Sequence, residues 1–473
     1  MKKFMACALS ACMVAATLVG CDKGGTTTTT TTPDSTGDGD TTTAAADPAP
    51  APATADGKKV IELWAFTDEV PKMVDAYKAA HPDFDWEVNT TIKGTGDGYQ
   101  DALDQALING QVDMFAAEAA FVLKYSQGDM SKYVGAYEDL GLDLSKLETA
   151  QIAPYTIEIG TRPSDGKLVG LGYQATGGAF IYRRSIAKDV FGSDDPATVK
   201  KEIGGGTGSW DTYWEAAEKL KAKGYGICSG DGDMWHAIEN SSEKGWLDAD
   251  GKLYIDPKRE EFMDISKKLK DNGYHNDSQD WQESWFADMN GTSEKGVLGF
   301  FGPAWLINYT IAPNCGGSAV GEGTFGDWGV TESPIGFFWG GTWVMASQAA
   351  IDNGKAEGVK ALIDYITLDD SEDGLQYAWA TGSFSGTGDC VASGTVMSKA
   401  TCTPDILAGQ NMFEVFVPAN ASANGKNLTQ YDEKINNLWR EQVREYTAGN
   451  KSKEEAIEKF KADVNEQLGI EVE

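Results

Sequence analysis

The chain is poor in positive charge. It sets 40 Lys and Arg against 72 Asp and Glu, for a formal net charge of −32. Phosphate recognition needs Lys and Arg, so this balance argues against nucleic acid or an anionic lipid surface as a partner. Histidine is scarcer still. His81, His236 and His275 are scattered and the cysteines are not closely paired, so no metal site is expected. Long apolar runs are missing as well: past residue 21 none reaches the roughly 18 residues that a membrane-spanning helix needs. Catalytic signatures are absent. There is no Gly-x-Ser-x-Gly and no His-Glu-x-x-His, and Gly204-Gly205-Gly206-Thr207-Gly208 lacks the lysine and the preceding buried strand of a phosphate-binding loop. So many acidic residues guarantee chance carboxylate pairs, which therefore do not argue for a glycoside hydrolase. Neither an enzyme nor a cofactor is expected.

What is present begins at the N-terminus. Lys2 and Lys3 precede the uncharged apolar run from Phe4 to Val19, which is too short to cross a bilayer comfortably. Residues 1–20 read as a signal peptide. Leu18-Val19-Gly20-Cys21 resembles the lipobox of bacterial lipoproteins, in which the cysteine becomes the lipidated first residue. Several acyl chains on Cys21 would anchor the protein without a transmembrane helix, facing the periplasm or the exterior. In bacteria with two membranes, Asp22 at the next position resembles an inner-membrane retention signal. Residues 21–57 then form a tether of Thr, Pro, Ala, Gly and Asp, with a threonine run from Thr26 to Thr32. Such a segment cannot bury enough apolar surface to offset its ordering entropy. As a coil it would span roughly 35 Å.

The remainder, from Lys58 on, is too long for one core and should form two lobes. It opens with a short apolar strand, Val60 to Phe66. A helix follows with Val70, Met73 and Val74 on one face, then a second strand from Phe84 to Thr91, a helix from Tyr99 to Asn109, and a third strand from Gln111 to Ala117. This β-α-β-α-β order makes an open α/β sheet with parallel strands, whose ligands bind outside the carboxyl ends of the strands. Those ends lie at Trp64–Asp68 and Ala116–Glu118. Cys228, Cys315, Cys390 and Cys402 remain in an oxidising compartment, and three pairings are possible. Cys390–Cys402, which closes a short loop, is the first expectation, leaving Cys228–Cys315.

Seven segments in order resemble the maltose-binding-protein-like family of extracellular solute-binding proteins (family 1). They are Lys59–Phe66, Val112–Glu118, Lys167–Leu171, Ser209-Trp210-Asp211, Gly299–Trp305, Phe338–Trp343 and Tyr446–Asn450. The resemblance implies a two-lobed periplasmic-binding-protein-like (class II) α/β fold with a ligand cleft between the lobes. By analogy, residues 58–165 and 343–385 form the N-terminal lobe, and residues 166–342 and 386–473 the C-terminal lobe. The chain would cross between them near Arg162–Leu168, Trp339–Trp343 and Ser383–Gly388. The resemblance also implies a monomer that delivers a sugar to the membrane permease of an ABC importer.

Sugars present apolar C–H faces and a rim of hydroxyls, so their sites combine flat aromatic surfaces with carboxylates or amides. Candidates for stacking are Trp64, Phe66, Trp235, Trp305, Trp339 and Trp343, several of them at strand ends or in glycine-rich turns. Trp235 is read as lying in a loop. Asp68, Glu118 and Tyr173 are the candidate hydrogen-bonding groups. Near the start of the penultimate helix, where the maltose-binding member carries a stacking aromatic, this chain has Asn436 and Asn437, which argues against maltose itself. Iron-binding relatives use adjacent tyrosines, which this chain lacks. A polyamine site would also combine aromatics with carboxylates and stays open.

Overall fold

The computed structural model describes residues 59–472. The signal peptide, Cys21 and the tether lie outside the described residues. Strand β1 (Val60–Ala65) alternates because Ile61, Leu63 and Ala65 face the core. The helix Glu69–Ala80 buries Val70, Met73 and Val74 at helical spacing and returns the chain to β2 (Glu87–Ile92), parallel to β1. The helix Tyr99–Ile108 buries Leu103, Ala106 and Leu107 and leads to β3 (Met114–Glu118), on the other side of β1 and again parallel. The parallel unit read from the sequence is therefore present.

Five more strands follow: β4 (Gly170–Gly172), β5 (Ala179–Arg183), β6 (Gly299–Gly302), β7 (Trp328–Thr331) and β8 (Thr342–Ala346). They complete two sheets, ordered β2-β1-β3-β8-β4 and β6-β5-β7, one for each lobe. Here the parallel pattern ends. β8 runs antiparallel to both β3 and β4, and the second sheet is antiparallel throughout. The terminal helices Asp432–Thr447 and Lys453–Leu468 pack on the second lobe, where Trp439 meets Phe460 at 4.9 Å and Trp246 at 5.8 Å.

The first crossing falls later than the resemblance implies. Gly170–Gly172 pairs with Trp343–Met345 in the first sheet, so the chain leaves that lobe after Tyr173 and not at 162–168. Residues 173–178 then pair with the other two crossing segments. Ala175 N–H donates to Cys390 O at 3.1 Å and Ala392 N–H to Tyr173 O at 2.9 Å. Gly178 N–H donates to Phe337 O at 2.9 Å, and Trp339 N–H to Thr176 O at 3.1 Å. Three strand-like segments thus satisfy one another's backbone groups where the lobes join. In the segment from Phe337 on, only Thr342–Ala346 joins a sheet.

The disulfide expectation is also corrected. Cys228, Cys315, Cys390 and Cys402 are all free and buried. Cys228 and Cys315 sit in different apolar cores, and each thiol is spent on nearby backbone: Cys228 Sγ donates to Gly230 O at 3.3 Å and Cys315 Sγ to Ala312 O at 3.1 Å.

Close packing sets a sharp test at Gly160, the last residue of the helix Pro154–Gly160. A Cβ there would lie 1.8 Å from the backbone oxygen of Gly170, in β4. Backbone can yield only by moving the strand, so Gly160→Ala should destabilise the protein by about 2 kcal/mol or more, measured by denaturant titration. A variant as stable as the parent would contradict this packing.

Candidate functional site

The carboxyl end of β3 carries Glu118. Ala116 and Ala117 anchor the strand in the core, and Ala120 N–H donates to Glu118 Oε2 at 2.8 Å. From the other lobe comes the segment Phe338-Trp339-Gly340-Gly341. Its backbone reaches across to β3, since Ala119 N–H donates to Gly341 O at 3.0 Å. Glu118 and Trp339 line one cavity of about 110 Å³, together with Glu239, Asp432, Glu433 and Asn436.

The glycines beside Trp339 are required. Gly340 has φ +72° and Gly341 φ +114°, conformations that L side chains rarely adopt, and a Cβ on Gly340 would touch the Trp305 ring at 3.3 Å. Trp305 stands 4.7 Å from Trp339, centroid to centroid, and its Nε1–H donates to Trp339 O at 3.1 Å. Behind Trp339 the His236 ring stacks at 3.5 Å and 13°. Trp305 opens the π-helical turn Leu306–Ile311, an irregularity that periodicity cannot reveal. A third indole, Trp281, lies 6.2 Å from Trp339 and 6.3 Å from Trp305. Sequence reasoning missed it, because a tryptophan among polar loop residues carries no pattern.

The cavity wall is acidic. Burial pushes the Glu118 carboxyl up to about 7, the neighbouring charges of Glu433 and Glu239 add to this, and the Ala120 amide opposes it. Burial raises Asp432 to about 6, tempered by Arg259 and by hydrogen bonds from Thr429. Glu239 is also raised by burial, against the opposing charges of His236, Arg440 and Arg259. Asn436 lies among these groups. It accepts from Trp246 Nε1–H at 2.7 Å and donates to Glu239 Oε1 at 2.8 Å, so it is a polar bridge where a stacking ring was noted as lacking.

The other sequence candidates separate clearly. Trp343 is fully buried beneath the crossing, with Nε1–H donating to Thr156 O at 3.0 Å. Trp235 is not in a loop. It lies on the helix Asp231–Glu239, packs at 4.9 Å against Phe262 and belongs to the second lobe's core. Neither ring is free to stack on a ligand. Trp64 and Phe66 are half-buried at the end of β1, Phe66 edge-on to Tyr99 and Phe121. Asp68 is exposed and paired with Lys72 at 2.6 Å. Tyr173 is buried, its hydroxyl donating to Glu69.

Glu69 also accepts from Tyr309 Oη at 3.0 Å, a contact between lobes, and Gln100 Nε2 makes a second one, donating to Glu433 Oε2 at 3.1 Å. Near Glu69, at the crossing, Asp389 is buried and accepts from Gln174 Nε2 at 3.3 Å. Burial, and to a lesser degree the Glu69 charge, pushes Asp389 up to about 7.

Two lobes thus meet around an acidic cavity lined by Trp339, which is the architecture of a binding cleft. Residues 72–402 match the family described as bacterial extracellular solute-binding protein. The chain belongs to that family. Among solved structures, an extracellular solute-binding protein family 1 crystal structure is similar with a TM-score of 0.70 and 17% identity, over 86% of this chain and 99% of that one. The ABC-transporter-associated binding protein of B. animalis subsp. lactis Bl-04, in complex with β-1,6-galactobiose, is similar with a TM-score of 0.60 and 19% identity, over 88% and 100%. The galacto-N-biose/lacto-N-biose I-binding protein of Bifidobacterium longum, in complex with lacto-N-biose, gives a TM-score of 0.64 and 15% identity, over 88% and 99%. Comparison with curated proteins finds no match. No helix of the described residues is long and apolar enough to cross a membrane.

The raised carboxyl of Asp389 makes stability depend on pH. Between about pH 4, where an unfolded aspartate ionises, and about pH 7, the folded solute-binding protein holds a proton that the unfolded chain has released. This contribution to stability is fully present below about pH 4 and is lost as the pH rises through 7. Asp389→Asn should therefore gain melting temperature over the parent at pH 8 and match it near pH 4. An equal difference at both pH values would contradict the assignment.

Proposed function

We propose that this solute-binding protein captures a sugar between its lobes and presents it to the permease of an ABC importer. The observation that carries the reading is the shared cavity: Glu118 from the first sheet and Trp339 from the second lobe face the same small space. A flat indole suits the apolar face of a sugar, and carboxylates with Asn436 suit its hydroxyls. The galactobiose and lacto-N-biose complexes of the two similar structures support the choice of a sugar. Trp305 and Trp339 are the stacking plates in this reading and Glu118 the principal acceptor.

Capture proceeds by hinged closure. The crossing segments are narrow and held by backbone hydrogen bonds, while the lobes otherwise touch through side chains such as Tyr309–Glu69 and Gln100–Glu433. A ligand that contacts both walls favours the closed form by its differential affinity, and the permease reads that form. Lipid on Cys21 and the tether up to residue 57 would hold the protein near that permease. The protein binds without turnover and acts as a monomer. The lobe boundaries of the proposal are those the resemblance implies, except that the first crossing follows Tyr173, after Gly170–Gly172 has paired in the first sheet.

One observation favours a second reading. Four carboxylates around one cavity suit a polyamine, whose ammonium groups would pair with them and rest on an indole face. Calorimetry with a panel of mono- and oligosaccharides and with spermidine separates the two. A sugar should bind, and Trp339→Ala should weaken it on the order of 10- to 100-fold. Binding of spermidine and of no sugar, or full affinity in Trp339→Ala, would overturn the sugar reading.

A further inference from the structure

We infer that Trp281 is a specificity-determining plate of the cleft, which extends the Trp305–Trp339 surface so that it selects sugars of two or more units. This rests on the sugar reading and deepens it.

The first observation is strain. Trp281 has φ +65°, in the left-handed region that bulky residues avoid, and Asp277 in the same loop has φ +60°. Such conformations persist only where the surroundings over-determine them. Here they do. Ser278 N–H donates to Ser229 O at 3.2 Å, and Ser278 Oγ to Asp288 Oδ2 at 2.8 Å. Asp280, adjacent to Trp281, is buried, with Oδ2 at 3.2 Å from His236 Nε2 and 3.4 Å from Arg440 Nη2. Burial raises its carboxyl, but the hydrogen bond and charge of His236, with Arg440, outweigh that and hold it below the usual range. The helix beneath is also cut away for the loop. A Cβ at Gly230 would lie 1.9 Å from Ser278 O, and one at Gly232 would lie 2.3 Å from Asp280 Oδ1.

The second observation is exposure. All this scaffolding holds an indole that is 50% exposed, so burial of Trp281 does not explain it. Its orientation does. The ring is parallel to Trp305 within 9° at 6.3 Å between centroids, and inclined 60° to Trp339 at 6.2 Å. At that separation Trp281 and Trp305 leave no room for a sugar between their faces, because a ring stacked between them would need about 3.5–4 Å on each side. With Trp339 they form one cluster of three indoles, of which Trp339 lines the Glu118 cavity while Trp281 and Trp305 lie outside its lining. A single pyranose in the cavity meets Trp339; the half-exposed Trp281, outside the cavity lining, has a use for a longer saccharide. His236 couples the two parts, since it supports Trp339 from behind and fixes Asp280 in the loop.

The test compares the parent with Trp281→Gly and Trp281→Phe, by calorimetry against a matched series of one sugar as mono-, di- and trisaccharide, and by melting without ligand. Glycine adopts a positive φ freely, so Trp281→Gly should not melt lower than the parent. Its affinity for the di- and trisaccharide should fall on the order of tenfold while monosaccharide affinity stays within about twofold. Trp281→Phe should retain most of the parent's preference for the longer sugars. Unchanged oligosaccharide affinity in Trp281→Gly overturns the inference, and so does an equal loss for all three sugars accompanied by a lower melting temperature. A parent that binds no sugar overturns the sugar reading and this inference with it, a result distinguishable because it needs no variant.

Discussion

The binding cleft depends on one short ribbon, Phe338-Trp339-Gly340-Gly341, clamped at the point where the lobes join. Trp339 N–H and Gly340 O are both held by Thr176, the former by its carbonyl and the latter by its hydroxyl at 2.9 Å, while Gly341 O accepts from Ala119 beside Glu118. Two consecutive positive-φ glycines are what allow the ribbon to turn here and Trp305 to approach. The ribbon fixes the indole relative to the first lobe's carboxylate and gives the Trp305 ring its hydrogen-bond acceptor. Loss of the clamp would leave two lobes with cores but no aligned walls.

The wall chemistry follows from desolvation. Glu118, Glu239 and Asp432 sit where burial opposes their charge; His236, Arg440 and Arg259 temper the rise at Glu239, and Arg259 that at Asp432. Arg259 is itself buried against the Trp246 ring at 4.3 Å. Hydroxyl donors of a sugar would relieve the carboxylates in place of water, and the indoles would take its apolar face.

Much of this was legible in the sequence. Strand–helix periodicity gave the parallel unit from β1 to β3 and, with it, Glu118 at a strand end. Trp305 and Trp339, each near glycines in the chain, were among the candidates for stacking. The misreadings have physical causes. Gly170–Gly172 looks like the start of a second lobe but pairs with β8, a long-range choice that local pattern does not encode. Gly230–Trp235 reads as a loop because its glycines and aspartates are poor helix formers. Yet the helix forms there, since Asp233 accepts from the amides of Ser229 and Gly230 and Trp235 fills the core. The paired-cysteine expectation followed from an even count, but the fold separates Cys228 from Cys315 into different cores. Trp281 was invisible because its significance lies in a dihedral angle.

The most direct measurement is a crystal structure of the protein saturated with the tightest-binding saccharide. The account predicts sugar density against the indoles of Trp305 and Trp339, with a hydroxyl within hydrogen-bonding distance of the Glu118 carboxylate. Density instead in the groove of about 710 Å³ on the second lobe, lined by Lys200, Glu332, Gln410 and Pro418 and sharing no residue with the Glu118 cavity, would contradict it.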